Sequence, residues 1–333
     1  MKPKQLKSSV EVLSKMKQPF FVWGDPGIGK SQIVQQVAGE LFEKNGHQHL
    51  LDLRAVLLDP VDLMGIPSVQ NGRTHWSPPS LLPQEGEGLL FFDELNRAPV
   101  MVQNACLQLV LDRKLGEYTL PEGWVVGAAG NFESETGVQR MPDALRSRFT
   151  HLKAEIDVSQ WVEYGLKNDF ASKVLAFIRW RPELLHKYDR MTTKRENSFP
   201  CPRTWEFTSN ILKQRLDMEL QHELIAGTIG VGAATEFTAF LKLYDDLPDL
   251  ENIVEFPQTA PVPYTPAVCY AVASALAHVA TRKNVQAILT YMNRFSEKEY
   301  VVACIHDMCT KTPELNSVGC VTDWKIEHQG ILF

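Results

Sequence analysis

The chain has 333 residues, 44% of them hydrophobic and 22% charged, with a formal net charge of −6. That length predicts two or three domains, and the composition excludes the disordered and low-complexity classes. The acidic balance argues against binding duplex nucleic acid over a broad surface, which needs a basic excess. No apolar run approaches the ~18 residues that span a bilayer, and the charged N-terminus MKPKQLKSSVEVLSKMK leads into no hydrophobic region. Six scattered cysteines with no CxxC pair read as reduced thiols. The expectation is a cytoplasmic protein without a membrane partner.

In chain order, the first half alternates short apolar runs with amphipathic stretches, the pattern of a parallel sheet flanked by helices. Strands are expected at 19–24, 49–54, 88–94, 124–131 and 151–156; those around 89–92 and 124–129 are almost wholly apolar, as in strands covered on both faces. Between the first two, SQIVQQVAGELFEKNG places Ile33, Val34, Val37 and Leu41 on one stripe, with a C-cap expected at Gly46. After about residue 157 only helical periodicities follow, in WVEYGLKNDFASKVLAFIRW, RTWEFTSNILKQRL and TEFTAFLKLYDDL. A proline-rich connector at 256–267 marks a boundary. The layout is an α/β domain (1–157), a small helical domain (158–250) and a helical C-terminal extension (251–333). Cys304, His306, Cys309, Cys320 and His328 can be assembled into a zinc site on paper. Cys304 and Cys309, however, are five apart in a helix and fall on different faces, so the cysteines read as buried small residues.

Three stretches carry chemistry. GDPGIGKS (24–31) joins the first strand to the first helix and matches the phosphate-loop pattern. Its residues Gly24, Asp25, Pro26, Gly27, Ile28, Gly29, Lys30 and Ser31, with Gln32 following, form a candidate nucleotide cradle. The glycines let backbone N–H groups wrap a phosphate, Lys30 reaches the β- and γ-phosphates, and the Ser31 hydroxyl is a Mg²⁺ ligand. LLFFDE (89–94) ends an apolar strand in two carboxylates, Asp93 to hold magnesium and Glu94 to orient and polarise water. Asn131 ends the next apolar strand and is a candidate sensor of the γ-phosphate.

In order, a phosphate loop, a strand-borne Asp-Glu, a strand-tip Asn, an arginine pair and PRTW resemble the AAA+ ATPases. FVWGDPGIGKS, LLFFDELNRAP, VQNACLQLVLDRKL, WVVGAAGNF, MPDALRSRF and CPRTW bring the chain closer to the MoxR-type branch, related to dynein-like and chelatase-like members. The resemblance covers about residues 15–245. It implies a P-loop NTPase sheet followed by an all-helical lid and the helical extension. It also implies Mg²⁺-dependent ATP hydrolysis in a homo-oligomeric, hexameric ring that remodels a protein client, with a partner carrying a von Willebrand factor A domain. Arg203 of PRTW takes the second-sensor role. In DALRSRF the family's Leu-Leu-Asp is replaced by Leu145-Arg146-Ser147, so Arg148 is the arginine-finger equivalent, offered to the next subunit, and Arg146 is an extra cation that shares the task or takes it over.

The resemblance also reads 57–83 as an insert after the second strand, with a type I′ turn at Asn71-Gly72, and 111–124 as a hairpin before the sensor strand. Trp76 and Tyr118 are the aromatics placed either nearest a pore or partner face or packed on their own domain, and Arg54 is the residue proposed to restrain Glu94. The alternative function is a nucleic-acid motor or loader acting on DNA, for which Arg73, His75, Arg113 and Lys114 are the hairpin residues at hand. A nucleotide-gated scaffold without turnover is the third reading, and the complete set of carboxylates, Lys30 and Arg148 speaks against it.

Overall fold

Near-continuous apolar runs pair here as the parallel strands of one sheet. The computed structural model describes residues 1–42, 49–132, 141–188, 197–245 and 247–328, and the chain divides into two compact units, Met1–Ile156 and Asp157–Phe333. In the first, α1 (Pro3–Lys15) precedes β1 (Phe20–Trp23) and α2 (Lys30–Phe42). Then come β2 (Leu50–Arg54), the short α3 (Pro60–Met64), a hairpin of β3 (Ile66–Gln70) and β4 (Arg73–Ser77), and β5 (Glu87–Asp93). After α4 (Val100–Asp112), a second hairpin of β6 (Lys114–Leu115) and β7 (Tyr118–Thr119) leads to β8 (Gly123–Gly130), α5 (Asp143–Arg146) and β9 (Thr150–Lys153). The sheet order is β2-β5-β8-β1-β9, with every pairing parallel.

Both faces of the sheet are covered, which is why β5 and β8 carry apolar residues without alternation. On one face Phe20, Val22, Leu89, Phe91 and Val125 meet Leu6 and Val10 of α1 and Val34 and Val37 of α2. On the other, Phe21, Leu90, Phe92 and Val126 meet Val102, Cys106 and Leu109 of α4. The C-terminal ends of β1, β5 and β8 therefore open on one edge, where parallel sheets bind ligands. The C-cap expected at Gly46 lies outside the described residues.

Both hairpins occur where the sequence places them. Asn71 and Gly72 have φ of 51° and 73° between the paired Gln70 and Arg73, the two positive values a type I′ turn demands. Ile66 and Val69 stand exposed on the first hairpin, and His75 Nδ1 lies 3.6 Å from Glu117 Oε1 in the loop of the second. Of the two readings of Tyr118, packing on its own domain is the one found. It is 4% exposed, its hydroxyl donates to the Pro83 carbonyl at 2.6 Å, and burial pushes that hydroxyl up to about 12. The segment that leads into β5 supplies both its cover and its acceptor.

The second unit contains only helices among its described residues: α6 (Val158–Lys167), α7 (Ser172–Trp180), α8 (Pro202–Leu212), α9 (Met218–Ile229), α10 (Val231–Asp245), α11 (Leu250–Glu255), α12 (Pro266–Val279), α13 (Val285–Met292), α14 (Lys298–Lys311) and α15 (Gly319–Glu327), with 3₁₀ turns between some of them. The single helical run expected over 161–180 is two helices, broken at Asp169, whose φ of 54° no helix accepts. Phe177, Trp205, Phe237 and Phe240 form an aromatic core, with the Trp205 indole donating to the Leu184 carbonyl at 2.7 Å. The alanine-rich α12 packs against both α7 and α14, and Arg179 of α7 donates to the buried Asp307 of α14. Cys304 and Cys309 lie buried in a second core, and no group of three or more His, Cys, Asp or Glu among the described residues is placed to hold a metal. No described helix is long and apolar enough to cross a membrane.

Candidate nucleotide-binding and hydrolysis site

The loop from Gly24 to Gly29 links the end of β1 to the first turn of α2, so its backbone turns at a helix N-terminus. Gly27 and Gly29 have φ of 77° and 94°, which side chains with a Cβ rarely adopt. At Gly24 a Cβ would meet Ile28 Cδ1 at 2.5 Å. Asp25, Pro26 and Ile28 are half-buried within the loop, and Gln32 is exposed one residue beyond Ser31. The buried Lys30 ammonium donates to the Gly24 carbonyl at 2.6 Å, the Asp25 carbonyl at 3.0 Å and Asn131 Oδ1 at 2.9 Å. An oriented cation and a helix N-terminus thus converge on one concavity, an anion site.

The carboxylates reach the same place from β5. The Ser31 hydroxyl donates to Asp93 Oδ2 at 2.7 Å, and Asp93 Oδ1 accepts from the Glu94 amide at 2.9 Å. Glu94 itself has a left-handed backbone, φ 56° and ψ 31°, which ends the strand abruptly. The cation beside it is Arg97, with Nη1 3.7 Å from Oε1. The sequence reading assigned that part to Arg54, which is exposed at the end of the edge strand β2, in register with Asp93. One position before Arg97, the fully buried Asn96 donates through Nδ2 to the Asn131 carbonyl at 2.6 Å. Gly130 leaves room for it, since a Cβ there would meet Asn96 Oδ1 at 2.2 Å.

Asp52 of β2 was not anticipated. Asp52 is exposed, yet partial desolvation beside the sheet, and after it the Asp93 charge, raises its carboxyl above the ordinary value, while Arg54 opposes the shift. The available signal was alternation: in LLDLR the two polar residues fall on one face of the strand. The adjoining hard oxygen donors of Ser31 and Asp93 fit a divalent cation of the magnesium type.

The arginines of DALRSRF differ in environment. Arg146 pairs with Asp143 on its own helix at 3.4 Å. Arg148 is exposed, and its guanidinium makes no hydrogen bond or ion pair among the described residues. Arg203 belongs to the second unit, where it is exposed in the first turn of α8, directly after Pro202. Of the hairpin cations, Arg113 is engaged internally, donating to the Pro121 and Trp124 carbonyls at 2.6 and 2.8 Å.

Comparison with known proteins agrees with this geometry. The AAA domain of the dynein-related subfamily matches residues 19–149. Chaperone MoxR1 of Mycobacterium tuberculosis is 30% identical over 133 residues, 38% of this chain and 33% of that protein. Residues 19–149 thus carry an AAA domain of the dynein-related subfamily, similar in sequence to part of a MoxR-type chaperone. The chain thus spans about a third of the length of that curated relative. Among solved structures, NtrX from Brucella abortus in complex with ATP aligns with 98% of this chain and 67% of its own, at 12% identity and a TM-score of 0.42. A mutant of RuvB from Thermotoga maritima aligns with 82% of this chain and 80% of its own, at 17% identity and a TM-score of 0.40. The candidate site thus brings together the phosphate loop, Asp93-Glu94 and Asn131 through the Lys30–Asn131 and Ser31–Asp93 bonds, with Asn96 holding the Asn131 carbonyl.

Proposed function

We propose that this chain is a MoxR-type ATPase that hydrolyses ATP to ADP and phosphate with Mg²⁺, as a homo-oligomeric ring, and spends that energy on remodelling a protein partner. The observation that carries the reading is the joint placement of Lys30, Ser31, Asp93 and Asn131 within one hydrogen-bonded cluster at the sheet edge. Ser31 and Asp93 are the residues to hold Mg²⁺, which when bound neutralises charge between the phosphates. Lys30 holds the β- and γ-phosphates, Glu94 orients water and takes its proton, and Asn131 hydrogen-bonds near the γ-phosphate. Arg148 is the finger for a neighbouring subunit, supported by its guanidinium's lack of a partner among the described residues beside the engaged Arg146. Arg203 keeps its second-sensor assignment on the resemblance alone, as does the division of the helical unit into lid (158–250) and extension (251–333).

A protein client, rather than nucleic acid, is supported by the name of the MoxR1 chaperone relative and by the internal engagement of Arg113. A partner with a von Willebrand factor A domain is the specific form the resemblance suggests. Glu94→Gln tests the hydrolytic reading: phosphate release should fall by about 10²-fold or more while ATP binding stays within about threefold. Turnover retained in that variant would refute it.

A further inference from the structure

The arginine turn is too short to position itself. One helical turn, Asp143–Arg146, lies below the length at which helices hold their own geometry. Leu145 and Phe149 anchor it from below, the latter edge-on to Phe21 of β1 with ring centroids 5.7 Å apart. Those contacts fix its depth but not the direction in which Arg148 leaves the turn.

A second tie comes from β9. The Arg146 carbonyl, at the helix end where acceptors lack intrahelical partners, lies 2.8 Å from His151 Nε2 and takes only a long 3.3 Å bond from the Phe149 amide. The other imidazole nitrogen, Nδ1, lies 2.8 Å from Trp23 Nε1. An indole nitrogen can only donate, so Nδ1 accepts, Nε2 carries the proton, and the Arg146 carbonyl accepts it. Trp23 is the residue immediately before Gly24 of the phosphate loop. Its ring also stacks on Phe132, 6.5 Å between centroids and 12° between planes, directly after Asn131. One indole thereby touches the phosphate-loop strand, the sensor strand and, through a single imidazole, the arginine turn.

We propose that His151 is a positioning residue: bridging Trp23 to the Arg146 carbonyl, it sets the direction in which Arg148 is offered to the neighbouring subunit and ties that direction to the nucleotide site of its own subunit. The inference rests on the ring reading above. A misplacement of about 1 Å at a catalytic group costs on the order of 10²-fold, so a smaller loss of aim should cost about tenfold.

The test dilutes wild-type full-length subunits into an excess of carrier subunits bearing Glu94→Gln, which do not turn over but still present their arginine turn. Three carriers are compared: Glu94→Gln alone, with His151→Leu, and with Arg148→Ala. The His151→Leu carrier should lower kcat per wild-type subunit about tenfold below the Glu94→Gln carrier, with KM for ATP within about twofold, because the wild-type subunits keep their own sites intact. Should His151→Leu fail to fold, a Trp23→Phe carrier decides, since it removes the indole N–H and keeps the ring on Phe132; it should depress kcat in the same way. A His151→Leu or Trp23→Phe carrier that behaves like Glu94→Gln alone, while the Arg148→Ala carrier depresses the rate, overturns the positioning role only. If the Arg148→Ala carrier is also without effect, the finger in trans is wrong and the inference falls with it.

Discussion

Replacing Asn96 with alanine should damage both the stability and the chemistry of the α/β unit. Its Nδ2 bond to the Asn131 carbonyl, 2.6 Å long and fully buried, contributes about 1 kcal/mol, and leaving that carbonyl without its donor costs a further ~1–3 kcal/mol. The expected loss is therefore ~2–4 kcal/mol, or about 5–15 °C in melting temperature for a unit of this size. The same bond fixes the backbone of Asn131, whose side chain accepts from Lys30, so kcat should fall by about 10- to 100-fold while ATP binding changes little. Calorimetric melting and steady-state phosphate release read the two effects separately. Asn131→Ala and the double variant complete a cycle, in which the losses should be well short of additive because both changes disable one device. Melting within about 1 °C of wild type together with a rate within about twofold would show that Asn96 only fills space, and the reasoning would fail.

Asp52→Asn should raise the melting temperature slightly at neutral pH, the effect being small because the side chain is exposed and its charge screened. A carboxyl raised in the folded state costs stability once pH exceeds the unfolded value, so the gain should shrink as pH falls through the ordinary carboxylate range, and shrink also on adding Mg²⁺. Melting curves near pH 7 and pH 4, with and without Mg²⁺, check this, and a pH-independent gain would contradict it. Asp307→Asn should destabilise the helical unit by about 3–5 kcal/mol, since it leaves Arg179 largely buried without its anion; Arg179→Met with Asp307→Leu should recover much of that loss. Thermal unfolding of the full chain reads both, and a change under about 0.5 kcal/mol in Asp307→Asn would refute it.

What was legible in the sequence was what local chemistry dictates. A strand-to-helix turn that wraps phosphate needs glycines and a lysine at fixed offsets, and doubly covered strands need unbroken apolar runs, so GDPGIGKS, LLFFDE and WVVGAAGN announce themselves. Asn71-Gly72 is legible for the same reason, since few other pairs tolerate two positive φ values. What escaped depends on neighbours far along the chain. Tyr118 reads as either a surface or a packed aromatic until Pro83 covers it and accepts its hydroxyl. Arg54 and Arg97 both flank the acidic pair, and only the turn after Glu94 decides that Arg97 is the one beside it. Helix α9 escaped because just Ile225 and Ile229 are buried among its residues, too few to write a stripe.

The left-handed backbone at Glu94 has a consequence of its own. A residue with a Cβ held there costs about 1–2 kcal/mol, which glycine would not incur. Position 94 is therefore one where the chain would gain foldability by discarding its side chain. A library selected for heat resistance without selection for turnover should admit Glu94→Gly, as it should glycine at Lys17, Arg113 and Asp169, which share the torsion. On the hydrolytic reading proposed above, the fold carries that torsion for the sake of turnover.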